Sequence, residues 1–100
     1  MTYEIYQTPV STNYCFRSWD KAGDNFDIND YVVTYCGEIE DNGDKDITEI
    51  LENLFVKFNI HRPSDYYGRS MSISDVVAIK NMDDWLYYYC SNFGWIRVDM

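Results

Sequence analysis

The chain has 100 residues, of which 46% are apolar and 18% aromatic, and 8 basic against 17 acidic residues give a formal net charge of −9. This length predicts one domain, and the apolar content excludes a disordered chain. No apolar run approaches the ~20 residues that a membrane-spanning helix needs, and no signal-peptide pattern is visible. We therefore expect a cytoplasmic protein that binds neither membranes nor nucleic acid directly, because a negative charge this large repels both.

The predicted elements begin with a short strand at Tyr3–Tyr6, where β-forming residues alternate. Residues 10–30 carry scattered Asn, Asp, Gly and Ser, which predicts a loop with one short element near Tyr14–Trp19. Tyr31–Cys36 is β-branched and aromatic, and this composition predicts a second strand. An acidic turn over 38–46 follows this strand.

A helix is predicted after the acidic turn, because apolar residues recur there at the helical period. The members of this stripe are Ile47, Ile50, Leu51, Leu54, Phe55 and Phe58. Asp46 stands at the N-cap position, and Glu49 three residues later completes an acidic capping box. The spacing predicts one main helix over about 46–58 that ends near Asn59 and covers one face of a sheet.

Three more strands are predicted in the remaining sequence, at Ile73–Ile79, Trp85–Cys90 and Trp95–Val98. Asn92–Gly94 predicts a hairpin turn between the last two, with Gly94 supplying a positive φ. The order β–β–α–β–β–β predicts an α+β fold, with a small and mostly antiparallel sheet of about five strands covered by one main helix. We expect residues 1–100 to form a single domain.

Residues for catalysis are few. His61 is the one histidine, and no nucleophile elbow, phosphate-binding glycine loop or zinc-protease motif is present. A Cys–His pair for nucleophilic catalysis stays open, because such partners are distant along a chain. Cys36 and Cys90, however, lie in predicted strands, where a free cysteine usually is a small buried hydrophobe. We expect no enzymatic activity.

Metal binding has two alternative sources, although no cofactor is expected. Three cysteines and one histidine match the count of a tetrahedral zinc site, but the usual short Cys-x₂₋₄-Cys spacing is missing. The zinc candidates are Cys15, Cys36, His61 and Cys90. The stretch from Glu38 to Glu49 matches a calcium-loop register at Gly43 and at its last residue, but Glu replaces Asp at the first two ligand positions. A weakly held divalent ion at this turn is the second alternative.

The acidic charge is concentrated in the first half of the chain. Residues 1–50 hold 11 acidic and 3 basic residues, net −8, and residues 51–100 hold 6 and 5, net −1. An acidic surface favours fast encounter with a basic partner, and the alternative is a merely solvated face. The candidate contact residues are the acids Glu38, Glu40, Asp41, Asp44 and Asp46, together with Tyr66 and Tyr67 as outward aromatic anchors.

A longer pattern in the second half is similar to a known family. Its core reads Pro63-x-Asp65-x-x-Gly68-x-Ser70-x-Ser72-x-Ser74-Asp75-Val76-Val77. This stretch resembles YodL-like domains, and Tyr87–Trp95 is similar to the end of that family, with Cys90 where the family usually has Asp. Tyr3–Gln7 and Tyr35–Ile39 also resemble it, so the likeness touches most of the chain.

The resemblance implies an accessory protein of a phage or conjugative element, acting inside a bacterial host cell. It brings no catalytic residues to carry over. An acidic stand-alone domain of this size looks like an anti-CRISPR protein, an analogy that predicts a non-enzymatic inhibitor of a basic host nuclease. RNA-guided effectors of type II hold nucleic acid in channels lined by Lys and Arg, which a carboxylate array could occupy. The alternative is a non-inhibitory adaptor domain that docks on another protein of the same element.

Overall fold

The computed structural model of the chain describes residues 1–9, 11–12, 15–39, 46–66, 68–81, 83–92 and 94–98. The described part contains five strands and two α-helices. In chain order these elements are β1 Thr2–Gln7, α1 Trp19–Ala22, β2 Val32–Glu38, α2 Ile47–Ile60, β3 Val76–Asn81, β4 Asp84–Ser91 and β5 Gly94–Val98. Two short 3₁₀ turns, Gly23–Asn25 and Ile28–Asp30, follow α1.

The strands form one sheet in the order β2-β1-β3-β4-β5, and every neighbouring pair is antiparallel. β1 therefore lies between two strands that come later in the chain, while β2 and β5 lie at the edges. One main helix covers one face of this sheet. The predicted α+β fold is confirmed.

Helix α2 forms where its apolar stripe predicts. The Asp46 carboxylate accepts a hydrogen bond of 2.8 Å from the backbone N–H of Glu49, which is the predicted N-cap. The helix runs to Ile60, one residue beyond the predicted end near Asn59, and the backbone N–H of His61 donates to the carbonyl of Lys57. Its buried side chains are Ile50, Leu51, Leu54 and Phe58.

The sheet buries apolar side chains on both faces. Against α2 lie alternate residues of β1 and β3, namely Tyr3, Ile5, Val77 and Ile79. The opposite face is covered by the segment before β2, where Trp19 packs edge-on against Tyr89 with ring centroids 5.0 Å apart. The predicted loop over 10–30 thus contains short helical turns in its described part, and its aromatic side chains form a second core.

β3 starts later than predicted. Ser74 has a φ of 84°, which extended strand backbone does not allow, and its side chain and that of Asp75 are fully buried in polar contacts. The predicted strand Ile73–Ile79 is therefore wrong at its start, since only Val76 onward is extended.

β2 carries a bulge. Ile5 pairs with Tyr35 but Tyr6 pairs with Val33, so Thr34 is the extra residue, and its hydroxyl donates to the carbonyl of Ile5 at 3.3 Å. The observed strand, Val32–Glu38, starts one residue later and ends two residues later than the predicted strand Tyr31–Cys36.

No helix in the described ranges is long and apolar enough to cross a membrane.

Candidate functional site

Of the predicted acidic contacts, Glu38 lies on the surface at the end of β2. Its side chain is 73% exposed, accepts a 2.8 Å hydrogen bond from the hydroxyl of Thr2 and lies 3.8 Å from the N-terminal amine. Glu38 and Ile39 also line a cleft of about 250 Å³ with the middle of α2, from Ile50 to Lys57. The end of β2 and the middle of α2 therefore form one surface.

Asp46 is exposed as well, but its carboxylate already caps α2. Its charge is therefore tied to helix stability. The remaining predicted acidic contacts, Glu40, Asp41 and Asp44, lie outside the described residues, as do positions 40–45 of the predicted calcium-loop register.

The prediction that Tyr66 points outward is wrong, and Tyr67 lies outside the described residues. Tyr66 is only 7% exposed, because its ring packs against Phe58 with centroids 4.9 Å apart and against Tyr35 at 5.9 Å. Burial raises the pKa of its hydroxyl, which lies 3.2 Å from Gln7 Oε1 and donates to the backbone carbonyl of Arg69. Tyr66 is a core residue and not an anchor for a partner.

The four zinc candidates do not meet. Within the described part of the chain, no three His, Cys, Asp or Glu side chains are placed to hold a metal ion. Cys15 and Cys90 are buried, His61 is exposed just after α2, and Cys36 is exposed on β2. The expectation that Cys36 is buried is wrong, because it lies on an edge strand with its Sγ 3.5 Å from the carboxylate of Glu4. Partial desolvation and this carboxylate raise the pKa of the Cys36 thiol.

The sequence motif from Gly68 to Val77 forms a buried polar cluster that sequence reasoning missed. At its centre, Asp75 is fully buried, and its Oδ1 lies 2.8 Å from Nη1 of Arg69. The other carboxylate oxygen accepts hydrogen bonds from the backbone N–H of Ser72 at 2.9 Å and from Nε2 of Gln7 at 3.1 Å. Burial raises the pKa of Asp75, and these three donors act in the opposite direction.

Arg69 extends the cluster to the segment after β1. Its Nη2 donates to the carbonyl of Thr8 at 3.2 Å and lies 3.7 Å from Sγ of Cys15, and the guanidinium lies 5.2 Å from the ring centre of Phe16. The hydroxyl of Ser74 accepts a hydrogen bond from the N–H of Phe16 at 2.9 Å. The cluster therefore joins three stretches of chain that are remote in sequence.

Next to this cluster, an open cleft of about 290 Å³ lies beside the first half of β2. It is lined by Gln7, Thr8, Pro9, Val32, Thr34, Gly68 and Arg69. Thr8 is 4% exposed, and its Oγ1 has no hydrogen-bond partner among the described residues. A buried hydroxyl without a partner costs free energy that a bound polar group could recover.

Alkaline pH should destabilise the fold. Burial raises the pKa of Tyr3 from 10.0 to about 12 and that of Cys90 from 9.0 to about 12. The unfolded chain loses these protons first, so stability is present below pH 9 and is lost as the pH rises towards 12. We expect the free energy of unfolding to fall by up to about 1.4 kcal/mol per pH unit for each group.

Denaturant unfolding across this pH range, under reducing conditions, measures the effect. Of Cys90 and Tyr3, only Cys90 lowers the stability below pH 10, because the ordinary pKa is 9.0 for cysteine and 10.0 for tyrosine. Cys90→Ala should therefore reduce the loss of stability between these two values. Stability that stays level throughout the alkaline range would contradict the prediction.

Comparison with known proteins identifies a family. No curated protein and no solved structure matches the chain. The model of the YodL-like domain matches residues 2–100, which includes β1 to β5, α2 and the whole Arg69–Asp75 cluster. The chain therefore belongs to the family of YodL-like domains.

Proposed function

We propose that the chain is a non-enzymatic, mobile-element-encoded protein that binds a basic host nuclease in the bacterial cytoplasm and blocks its DNA loading. A type II CRISPR effector is the proposed target. Such an effector holds nucleic acid in a channel lined by Lys and Arg, and an acidic domain can compete for these side chains. The family match leaves this function open, and support for it comes from the charge of the surface.

The observation that carries the proposal is the excess of acidic side chains on the described surface. Ten acidic side chains there are exposed against five basic ones. The acids are Asp20, Asp27, Asp30, Glu38, Asp46, Glu49, Glu52, Asp65, Asp83 and Asp84, and the bases are Arg17, Lys57, Arg62, Lys80 and Arg97. Three of these acids lie close together in the sequence, where β2 ends and α2 begins. They are Glu38, Asp46 and Glu49. Such a surface steers a basic partner toward it.

Inhibition of DNA cleavage by a purified type II effector tests the proposal. We expect inhibition that weakens steeply between about 50 and 300 mM salt, because salt screens exposed charges. A variant with Glu38, Glu40, Asp41 and Asp44 changed to Gln or Asn should associate more slowly with little change in dissociation. Asp46 is left unchanged because it caps α2.

A matched pair of variants separates a local contact from the overall charge. Glu40→Gln with Asp41→Asn removes two neighbouring charges from the proposed contact, and Asp83→Asn with Asp84→Asn removes two from the β3–β4 turn. We expect the first pair to weaken inhibition more, at unchanged melting temperature. Equal inhibition by the four-residue variant and the native chain would contradict the acidic contact and leave this segment a merely solvated face. No inhibition by the native chain would contradict the proposal and favour the alternative, an adaptor domain.

A further inference from the structure

The outer edge of β2 has unusual composition for an exposed strand. Within the described residues β2 pairs only with β1. Val32 is 61% exposed and Val33 44% exposed. Natural edge strands are commonly protected from pairing by Lys, Pro or a bulge. β2 contains neither Lys nor Pro, and its bulge at Thr34 is the one such feature it carries.

The second half of β2 is flanked by carboxylates. The hydroxyl of Tyr35 donates to Asp65 at 3.2 Å, and the thiol of Cys36 lies 3.5 Å from Glu4. Glu38 adds a third carboxylate at the end of the strand, and the N-terminal amine lies 3.8 Å from it. β2 thus presents an apolar half followed by an acidic half.

The cleft beside the apolar half adds a separate feature. Val32 and Thr34 form one wall of it, and Thr8 contributes the buried hydroxyl without a described partner. Side chains of an added strand alternate between the two faces of the sheet. One that lies opposite Val32 on the α2 face would border this cleft.

We propose that the outer edge of β2 is a strand-addition site for an extended segment of a basic protein partner. Apolar residues of that segment lie opposite Val32 and Val33, and Lys or Arg lies opposite Tyr35–Glu38. Main-chain hydrogen bonds supply affinity in this mode of recognition, and alternate side chains supply specificity. The inference rests on the proposed function only in taking the partner to be basic.

A synthetic peptide tests this mode directly. The probe has about nine residues, a length that matches one strand, with valine in one half and lysine in the other. The comparison peptide has the same sequence with N-methylated backbone amides, so that its charge is unchanged but it cannot donate to a strand. We expect the unmodified peptide to bind at least about tenfold more tightly. Amide hydrogen exchange should slow in β2 and not in β5 when it binds.

A matched pair of protein variants locates the site. Val32→Lys places a lysine on the β2 edge, and Ile96→Lys places one on the β5 edge, where Ile96 is 38% exposed. Both variants change the net charge equally. We expect Val32→Lys to weaken peptide binding about tenfold and Ile96→Lys to change it less than about twofold, because an edge lysine opposes pairing only where pairing occurs.

The outcomes separate this inference from the proposed function. Equal binding of both peptides, with equal effects of the two lysine variants, would overturn strand addition while leaving a salt-dependent attraction to basic partners. Unchanged hydrogen exchange in β2 of the native chain would overturn it too, whether or not the variants fold. If neither peptide binds at low salt, both strand addition and a basic partner are contradicted.

Discussion

Arg69→Met should be among the most destabilising single substitutions in the chain. It leaves the fully buried carboxylate of Asp75 without its ion-pair partner, and it removes the contacts to Thr8 and Phe16. Loss of one partner of a buried pair costs about 3–5 kcal/mol. That is a large share of the roughly 5–15 kcal/mol that stabilises a domain.

The control is Arg62→Met, which removes an exposed arginine from the same connection between α2 and β3. We expect it to change the free energy of unfolding by less than about 0.5 kcal/mol. Denaturant unfolding measures both variants, and an unchanged denaturant slope shows that the unfolded state is comparable.

Two further measurements identify the uncompensated charge as the cause. Without Arg69, burial should raise the pKa of Asp75 further, so the variant should lose less stability in mild acid, where the carboxyl is protonated, than at neutral pH. Adding Asp75→Asn removes the charge, and the double variant should be more stable than Arg69→Met alone. A double variant that shows the simple sum of both losses would contradict this mechanism.

The cluster also explains the limits of sequence reasoning here. Gln7 lies 68 positions from Asp75, and no local spacing indicates that their side chains meet. The one available signal was a pattern resembling a known family, which marked the stretch without giving its role. Tyr66 illustrates the same limit, because its burial depends on contacts with Tyr35 and Phe58 from other elements.

Elements whose signal is local were predicted well. The sequence signals for helix α2 are an apolar period of 3.6 residues and the N-cap Asp46. Both involve residues that lie within one or two helical turns of each other. The strand positions followed from composition, but the start of β3 did not. The conformation of Ser74 is set by remote hydrogen bonds that it accepts from the hydroxyl of Tyr31 and from the N–H of Phe16. The surface position of Glu38 was predicted from an acidic turn, although Glu38 is the last residue of β2. The edge location of β2 required the sheet order.

Leu51→Ala should destabilise the chain by about 2–5 kcal/mol, because it opens a cavity between α2 and the sheet. Leu51 is fully buried in the α2 face of the core, in contact with a cluster that includes Ile5 and Ile79. Val56→Ala is the matched control on the same helix, since Val56 is 46% exposed. Alanine favours a helix over valine, so this control should be neutral or slightly stabilising.

Denaturant unfolding of the two variants compares the two faces of α2 directly. A loss confined to Leu51→Ala places the core on the sheet side, as the apolar stripe and the burial of Leu54 and Phe58 indicate. A similar loss in Val56→Ala would mean that the outward face of α2 is also buried in solution. Stability that then rises with protein concentration would identify a second copy of the chain as the covering partner, since association stabilises the folded state by mass action.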